Sequence, residues 1–317
     1  MPSYPQRFIS NMEKKQILCL GHITHDRIVT PALPQGVDCA GGTAYYVAWA
    51  MQHLPHDISF GVITAVGDDL KHEIDRLREA GIDINDVGSP TSVFFENSYG
   101  RNMNNRRQRV LSKAAPFTID QLKDAEAEIF HLGTLLVDDF SPEVVEYLAT
   151  KGRVCVDVQG YLREVRNQRV YAVDWVDKLR VLKHTDILKV NEYEIDVLTD
   201  GERDLKRGAK LISSWGVREV LVTLGSYGSL IYADNHFYEI PSYDPQQVVD
   251  ATGCGDTYAA GYLYARAHGA GYEEAGRFAA AMCTLKLEHT GPFEGTVADI
   301  ERIMSKKTWI SQFLRNL

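Results

Sequence analysis

Residues Asp250-Ala251-Thr252-Gly253-Cys254-Gly255-Asp256-Thr257 form a glycine-bearing turn that runs into a helix of small residues, Ala259, Ala260 and Gly261. Glycines at 253 and 255 let the backbone turn tightly and aim successive N–H groups at one point. A helix start adds a partial positive charge of about half a unit. Together these features make an anion site without any Lys or Arg. Asp256 stands beside that site, where a carboxylate repels a bound phosphate. It has a purpose there if it accepts a proton from an attacking hydroxyl. The spacing fits equally a first-turn acid favoured by the helix dipole, with Gly253 and Gly255 as turn formers. Local sequence leaves both readings open.

The rest of the chain sets limits around that segment. Its 317 residues carry 34 Lys and Arg against 43 Asp and Glu, a net charge of -9. No basic block offsets the excess, which argues against nucleic acid or an anionic membrane as a partner. An acidic chain that holds an anion must use backbone N–H groups or a metal. Hydrophobic residues at 44% and charged residues at 24% are ordinary for a folded chain and exclude a disordered or fibrous one. The length fits two domains, or one large α/β domain with an insertion. Five cysteines, with no Cys-x-x-Cys, suggest neither a disulfide framework nor a zinc ribbon and point to the cytoplasm. Cys19 and Cys155 lie in apolar runs and are expected in the core. No stretch approaches the ~20 apolar residues of a membrane span. Residues 1–15 read as a polar leader without a secretory apolar region, and Met12 is an alternative start.

Short apolar runs at Ile17–Leu20, Ile58–Thr64, Ile129–Leu132, Val154–Val158, Ile187–Val190 and Val220–Leu224 read as strands. Helical stretches lie between several of them: Thr43–Leu54, Asp69–Ala80, Pro142–Thr150 and Asp204–Trp215. This alternation predicts a mostly parallel sheet covered on both faces. Strands follow at Ser229–Ala233 and Phe237–Ile240, then helices at Asp256–His268, Glu273–Glu288 and Thr296–Leu314, with stops at Gly269 and Gly291. Two regions break the alternation. Residues 26–40 show no helix pattern. Residues 91–112 read as strands at Ser92–Asn97 and Arg106–Leu111 around a polar turn, Tyr99–Asn105. The charged second strand fits a blunted edge, a small β lid over a site, or both.

Asp-x-Thr-Gly-x-Gly-Asp before a small-residue helix resembles the C-terminal signature of the PfkB/ribokinase family of carbohydrate kinases. The resemblance implies a three-layer α/β/α sandwich in one domain, with a mostly parallel central sheet and a lid from residues 26–40 and 91–112. It implies Asp256 as catalytic base, with the N–H groups of Gly253, Cys254 and Gly255 stabilising charge on a transferred γ-phosphoryl. Alanine is usual in the family where Cys254 stands, a change that a backbone role tolerates. Asn191-Glu192-Tyr193-Glu194 reads as a capping box. The family's Asn-x-x-Glu at that place implies that Asn191 and Glu194 also position magnesium, through water. Thr223, Gly225 and Gly228 end a strand in a hairpin-like turn that, by resemblance, lines the nucleotide site. Asp250 and Thr252 match positions around a monovalent cation, usually potassium, together with carbonyls near 288–291.

Asp26 matches the family's acid that binds substrate hydroxyls, and Gly41-Gly42 its glycine pair where sugar hydroxyls reach the backbone. Each glycine also fits a plain turn into a helix. Thr24 replaces the Asn usual in ribokinases, and Gly41-Gly42-Thr43-Ala44-Tyr45-Tyr46 replaces Gly-Gly-Lys-Gly-Ala-Asn, which puts ribose in doubt. Gln159 and Arg163 follow a central strand and are candidate substrate contacts. That segment, with His25-Asp26, is similar to family members that act on inositol. His22 and His25 fall on opposite strand faces and make no zinc site. No Gly-x-x-x-x-Gly-Lys-Ser/Thr occurs, and no Gly-x-Gly-x-x-Gly follows the first strand, so a P-loop NTPase and a Rossmann dehydrogenase are disfavoured. The expectation is an ATP- and Mg2+-using kinase, with K+ as a possible cofactor, that phosphorylates a small polyhydroxylated substrate and dimerises through its lid. The alternative is a catalytically idle sugar- or nucleotide-sensing protein on the same fold.

Overall fold

The computed structural model describes residues 13–99 and 106–306. Fifteen strands are found among the described residues: β1 (Lys15–Gly21), β2 (Thr24–Thr30), β3 (Leu33–Gly41), β4 (Phe60–Thr64), β5 (Ile84–Asp86), β6 (Val93–Tyr99), β7 (Arg106–Ser112), β8 (Ala127–Gly133), β9 (Arg153–Asp157), β10 (Arg163–Arg166), β11 (Arg169–Ala172), β12 (Ile187–Asn191), β13 (Glu219–Thr223), β14 (Ser229–Ala233) and β15 (His236–Ile240). Nine build one sheet in the order β15-β14-β13-β12-β9-β8-β1-β4-β5. From β13 to β5 every neighbouring pair is parallel. The pairs β13–β14 and β14–β15 are antiparallel.

The apolar runs form buried strands because both faces are covered. Along β1, Ile17 and Cys19 join one core with the helices Thr43–Gln52, Lys71–Glu79, Cys254–Ala267, Tyr272–Leu287 and Val297–Met304. Leu18 and Leu20 point to the other face and a second core, with the helices Pro142–Ala149, Lys178–Leu182, Glu192–Leu198 and Leu205–Ser214. The result is the expected three-layer sandwich. Cys19 and Cys155 are buried, and all five cysteines are free thiols. No helix among the described residues is long and apolar enough to cross a membrane.

The six remaining strands form a second sheet in the order β10-β11-β7-β6-β2-β3. Residues 26–40, which show no helix pattern, lie in two paired strands, β2 and β3. The expected strands near 92–97 and 106–111 are β6 and β7, and residues 100–105 of the polar turn lie outside the described residues. The hairpin β10–β11 was not foreseen. It is short and charged, carries little periodicity, and is held to β7 through Arg169 opposite Arg109. Val93, Phe95, Val110, Leu135 and Leu136 give this sheet a small apolar cluster of its own.

Gly269 follows the helix Cys254–Ala267 with φ of 84°, as a C-terminal stop should. Gly291 does not stop its helix, which ends at Leu287 with Glu288 as cap. The last helix runs over Val297–Met304, and residues 307–314 of the expected longer helix lie outside the described residues.

Candidate active site

Parallel strands deliver their C-terminal ends to one edge of a sheet, where ligands of open α/β folds bind. Here β9 ends at Asp157, β12 at Asn191 and β13 at Thr223. The helix Cys254–Ala267 starts over the same edge. Gly253 takes the left-handed conformation, φ 78°, and a Cβ there would fall 2.2 Å from the Tyr46 ring. Glycine is needed at 253 for both reasons. A Cβ on Gly255 would meet Lys189 Nζ at 3.0 Å. The Cys254 N–H donates to the Ala251 carbonyl at 3.2 Å, so the turn itself uses one of the three expected anion donors. Burial pushes the Cys254 thiol up to about 12, which keeps it a thiol and leaves it only its backbone to offer.

Asp256 is the focus of a charged cluster. Burial and the Asp157 carboxylate push its carboxyl up to about 7, against the opposing pull of Lys189 and a hydrogen bond from Thr43. Lys189 Nζ donates to Asp157 Oδ2 at 2.7 Å, with both side chains buried. Burial alone pulls an ammonium down, but Asp157, Glu194 and Asp256 outweigh it and hold Lys189 above its ordinary value. Glu194 is raised by burial, with Lys189 opposing and Asp157 reinforcing the shift, and Arg163 also faces it. Two carboxyls of raised pKa around one buried cation make this cluster a candidate functional site.

Asn191 and Glu194 form the expected capping box. Asn191 Oδ1 accepts from the N–H groups of Tyr193 and Glu194 at 2.9 and 2.8 Å, and Glu194 Oε2 accepts from the Asn191 N–H at 2.8 Å. One Glu194 oxygen is thus committed to the cap. Thr223 lies opposite Asn191 in register, and its hydroxyl donates to the Val190 carbonyl at 3.3 Å. Gly225 has φ of 54° and open space around it, whereas a Cβ on Gly228 would meet the Ile240 carbonyl at 2.1 Å. Hairpin packing alone accounts for glycine at 228.

Asp26 approaches from the smaller sheet. The Thr24 hydroxyl donates to Asp26 Oδ1 at 2.7 Å, so the residue that departs from the ribokinase pattern orients the acid. A Cβ on Gly41 would fall 2.7 Å from Asp26 Oδ2, and one on Gly42 2.4 Å from the His22 carbonyl. Tyr46 feels the carboxylates of Asp26, Asp250 and Asp256 together, and these, after burial, hold its phenol far above the ordinary range. Tyr46 therefore ties Asp26 to the glycine turn. The Gln159 N–H donates to Asp157 Oδ1 at 3.3 Å, while Arg163 opens β10.

Asp250 and Thr252 sit just before the turn. The Thr252 N–H donates to Asp250 Oδ1 at 2.9 Å. Lys286 Nζ donates to the Asp250 carbonyl at 2.9 Å and to Asp250 Oδ2 at 3.3 Å. The place read from sequence as a monovalent-cation site holds an ammonium of this chain. His22 is buried against Phe117 and His25 stacks on Phe94, and among the described residues no cluster of His, Cys, Asp and Glu could hold a metal.

Residues 14–297 match the family described as pfkB family carbohydrate kinase. The chain belongs to the pfkB family. Its curated relatives and structural neighbours are kinases, enzymes that move a phosphoryl group to an alcohol, and this chain is a kinase of that family. This pfkB chain is 26% identical over 289 residues to the cytidine kinase of Thermococcus kodakarensis, covering 89% of this chain and 99% of that one. Among solved structures it resembles a pyrophosphate-dependent kinase in the ribokinase family complexed with a pyrophosphate analog and myo-inositol. That match has a TM-score of 0.78 and 28% identity, over 90% of this chain and all of the other. Arabidopsis thaliana ribokinase complexed with ribose and ATP shares the fold, with a TM-score of 0.75 and 20% identity over 93% of this chain and 100% of that one.

Five residues around the site escaped the sequence reading: Thr43, Tyr46, Asp157, Lys189 and Lys286. Lys189 carried a usable signal. A lysine inside the apolar strand Ile187–Val190 must be buried, and a buried ammonium demands a partner. Thr43 and Tyr46 had none, because a helix start looks the same whether or not a carboxylate faces it.

Proposed function

We propose that this kinase transfers the γ-phosphoryl of ATP in line to a hydroxyl of a small polyhydroxylated substrate: a sugar, a cyclitol such as inositol, or a nucleoside. The observation that carries the reading is Asp256, pushed up to about 7 at the mouth of a glycine turn on a helix start. Near neutral pH such a carboxyl is both available as a base and matched to its proton. The substrate O–H gives its proton to Asp256, its oxygen bonds to the γ-phosphorus, and the bond from phosphorus to the ADP oxygen breaks. The glycine-turn N–H groups face the charge that develops on the phosphoryl oxygens.

Asp26, Gly41 and Gly42 hold substrate hydroxyls, with Gln159 and Arg163 on the opposite rim. Thr223 and Gly225 border the nucleotide. Magnesium typically binds one or two carboxylates plus phosphates and water. Glu194 has one carboxylate oxygen outside the cap and suits a hydrated ion of that kind, while Asn191, whose Oδ1 already accepts two N–H groups, holds Glu194 in place. When bound, the metal neutralises phosphate charge. The smaller sheet acts as a lid over the acceptor, and its outer strand β3, with Leu33 and Val37 each 50% exposed, is the surface for a homodimer. Light scattering is expected to give twice the chain mass, and Val37→Lys to give the monomer. Five free thiols fit a reducing, cytoplasmic setting.

The test is release of ADP across sugars, cyclitols and nucleosides, with Asp256→Asn as control. One acceptor should turn over, and the variant should lose transfer while folding normally. Near-normal turnover by Asp256→Asn would sink the mechanism. Pyrophosphate should run beside ATP as donor, because the inositol-bound neighbour at 28% identity is pyrophosphate-dependent.

A further inference from the structure

Lys286 is the anomaly of the helix Tyr272–Leu287. Its side chain is wholly buried, with 0% exposure. Lysine is almost never buried without a partner. Its ammonium has three N–H donors and three oxygen acceptors: the Asp250 carbonyl at 2.9 Å, Asp250 Oδ2 at 3.3 Å and the His289 carbonyl at 3.4 Å. Those oxygens come from two segments. One is the approach to the glycine turn, and the other is the loop after the helix. The same segments are joined by the Val249 N–H to the Leu287 carbonyl at 2.8 Å and the Gln246 N–H to Glu288 Oε1 at 2.7 Å. Cys283 Sγ adds a contact of 3.1 Å to the Cys254 carbonyl.

Carbonyl and carboxylate oxygens converging from two loops beside a phosphate-binding turn are a donor set for a monovalent cation. Here the cation is covalently attached. A potassium ion placed among the same oxygens would sit within contact distance of a fixed ammonium, where like-charge repulsion inside a protein is severe. The oxygens fit the lysine and leave no room for the ion.

We infer that Lys286 replaces a monovalent cation at the glycine turn, so that phosphoryl transfer by this chain needs no potassium. Lys286 fixes Asp250, and through it the position of the turn that ends at Asp256. It is a positioning residue, since it touches neither substrate nor reacting atoms. The inference rests on the kinase reading above, but its test has an arm that does not depend on turnover.

The experiment compares K+, Na+ and tetramethylammonium at equal ionic strength, reading both initial rate and Tm. Wild-type protein is expected to show the same rate, within about twofold, and the same Tm in all three salts. Lys286→Ala is expected to lose at least about tenfold in kcat and to regain part of it in K+ but not in tetramethylammonium, with a matching rise in Tm. Activation or thermal stabilisation of wild type by K+ overturns the inference, and this arm needs no variant to fold. Full activity of Lys286→Ala in tetramethylammonium also overturns it. Silence of wild type toward every acceptor and donor would instead count against the kinase reading, and the Tm series would still decide the cation question.

Discussion

Lys189 Nζ lies 2.7 Å from Asp157 Oδ2, both groups buried, and it is the same ammonium that a Cβ on Gly255 would meet at 3.0 Å. The pair therefore sits under the glycine turn and acts on Asp256 with both signs. Asp157 raises the Asp256 carboxyl and Lys189 lowers it. Asp157→Asn should move the acid limb of the kcat/KM profile to lower pH, and Lys189→Met should move it to higher pH. A residue that only supported the fold would shift neither limb. Lys189→Met should also lose roughly 3–5 kcal/mol of stability, because it strands a buried carboxylate, and Lys189→Met with Asp157→Leu should recover much of that loss. Denaturant titration and pH–rate profiles check both statements.

Asp256 itself gives a prediction of sign. Its folded carboxyl is raised to about 7 from an ordinary 3.8. A raised carboxyl stabilises the fold while neutral, and that contribution is present in full below the unfolded pKa. It is lost as pH rises through the folded pKa. Asp256→Asn should therefore match wild-type Tm near pH 4, gain on it as pH rises, and hold a constant advantage above about pH 7. The same variant should lose at least ~10²-fold in kcat above about pH 7, where wild-type Asp256 is ionised, and the gap should shrink at lower pH. A Tm gap that does not widen between those limits would contradict the raised carboxyl.

Gly253 is constrained twice, by φ of 78° and by the Tyr46 ring 2.2 Å from any Cβ placed there. Gly253→Ala should cost about 1–2 kcal/mol from backbone strain alone, plus the displacement of Tyr46. A shifted turn misplaces the anion donors, and a displacement near 1 Å can cost ~10² in rate. Adding Tyr46→Ala removes the clash but not the strain. The double variant should therefore be less destabilised than the sum of the singles, by about 0.5 kcal/mol or more, in a double-mutant cycle.

Thr24 and Asp26 separate acceptor binding from donor binding. The Thr24 hydroxyl holds Asp26 Oδ1 at 2.7 Å. Hydrogen bonds to a charged group are worth about 1.5–3 kcal/mol, so Asp26→Ala should raise KM for the acceptor roughly 10- to 100-fold. Thr24→Val should raise it less, by loosening the carboxylate without removing it. Neither change should move KM for the donor. Steady-state kinetics with each substrate varied in turn will show whether the effect is confined to the acceptor.

Local sequence was enough to read a mostly parallel sheet covered on both faces and a glycine turn toward the C-terminal end of the chain. Buried strands announce themselves as apolar runs, helices by their periodicity, and the turn into the helix at Cys254 by two glycines and an acid before small residues. Each of these signals lies within one local window, so each was legible. The capping box of Asn191 and Glu194 was legible for the same reason. What surrounds Asp256 came from the folding of distant segments onto one edge of the sheet. Lys189 and Asp157 are 32 residues apart, and Lys286 and Asp250 are 36 apart. Thr43 reaches Asp256 from the far end of the chain. No local pattern pairs such residues, because their meeting depends on strand order and helix placement. The weak hairpin β10–β11 was missed likewise, since pairing with β7 gives it a place that its own charged sequence does not. The electrostatics of the site also belong to the folded chain. Burial and two opposed neighbours set the Asp256 carboxyl, and a lysine from a distant helix stands where the sequence suggested potassium.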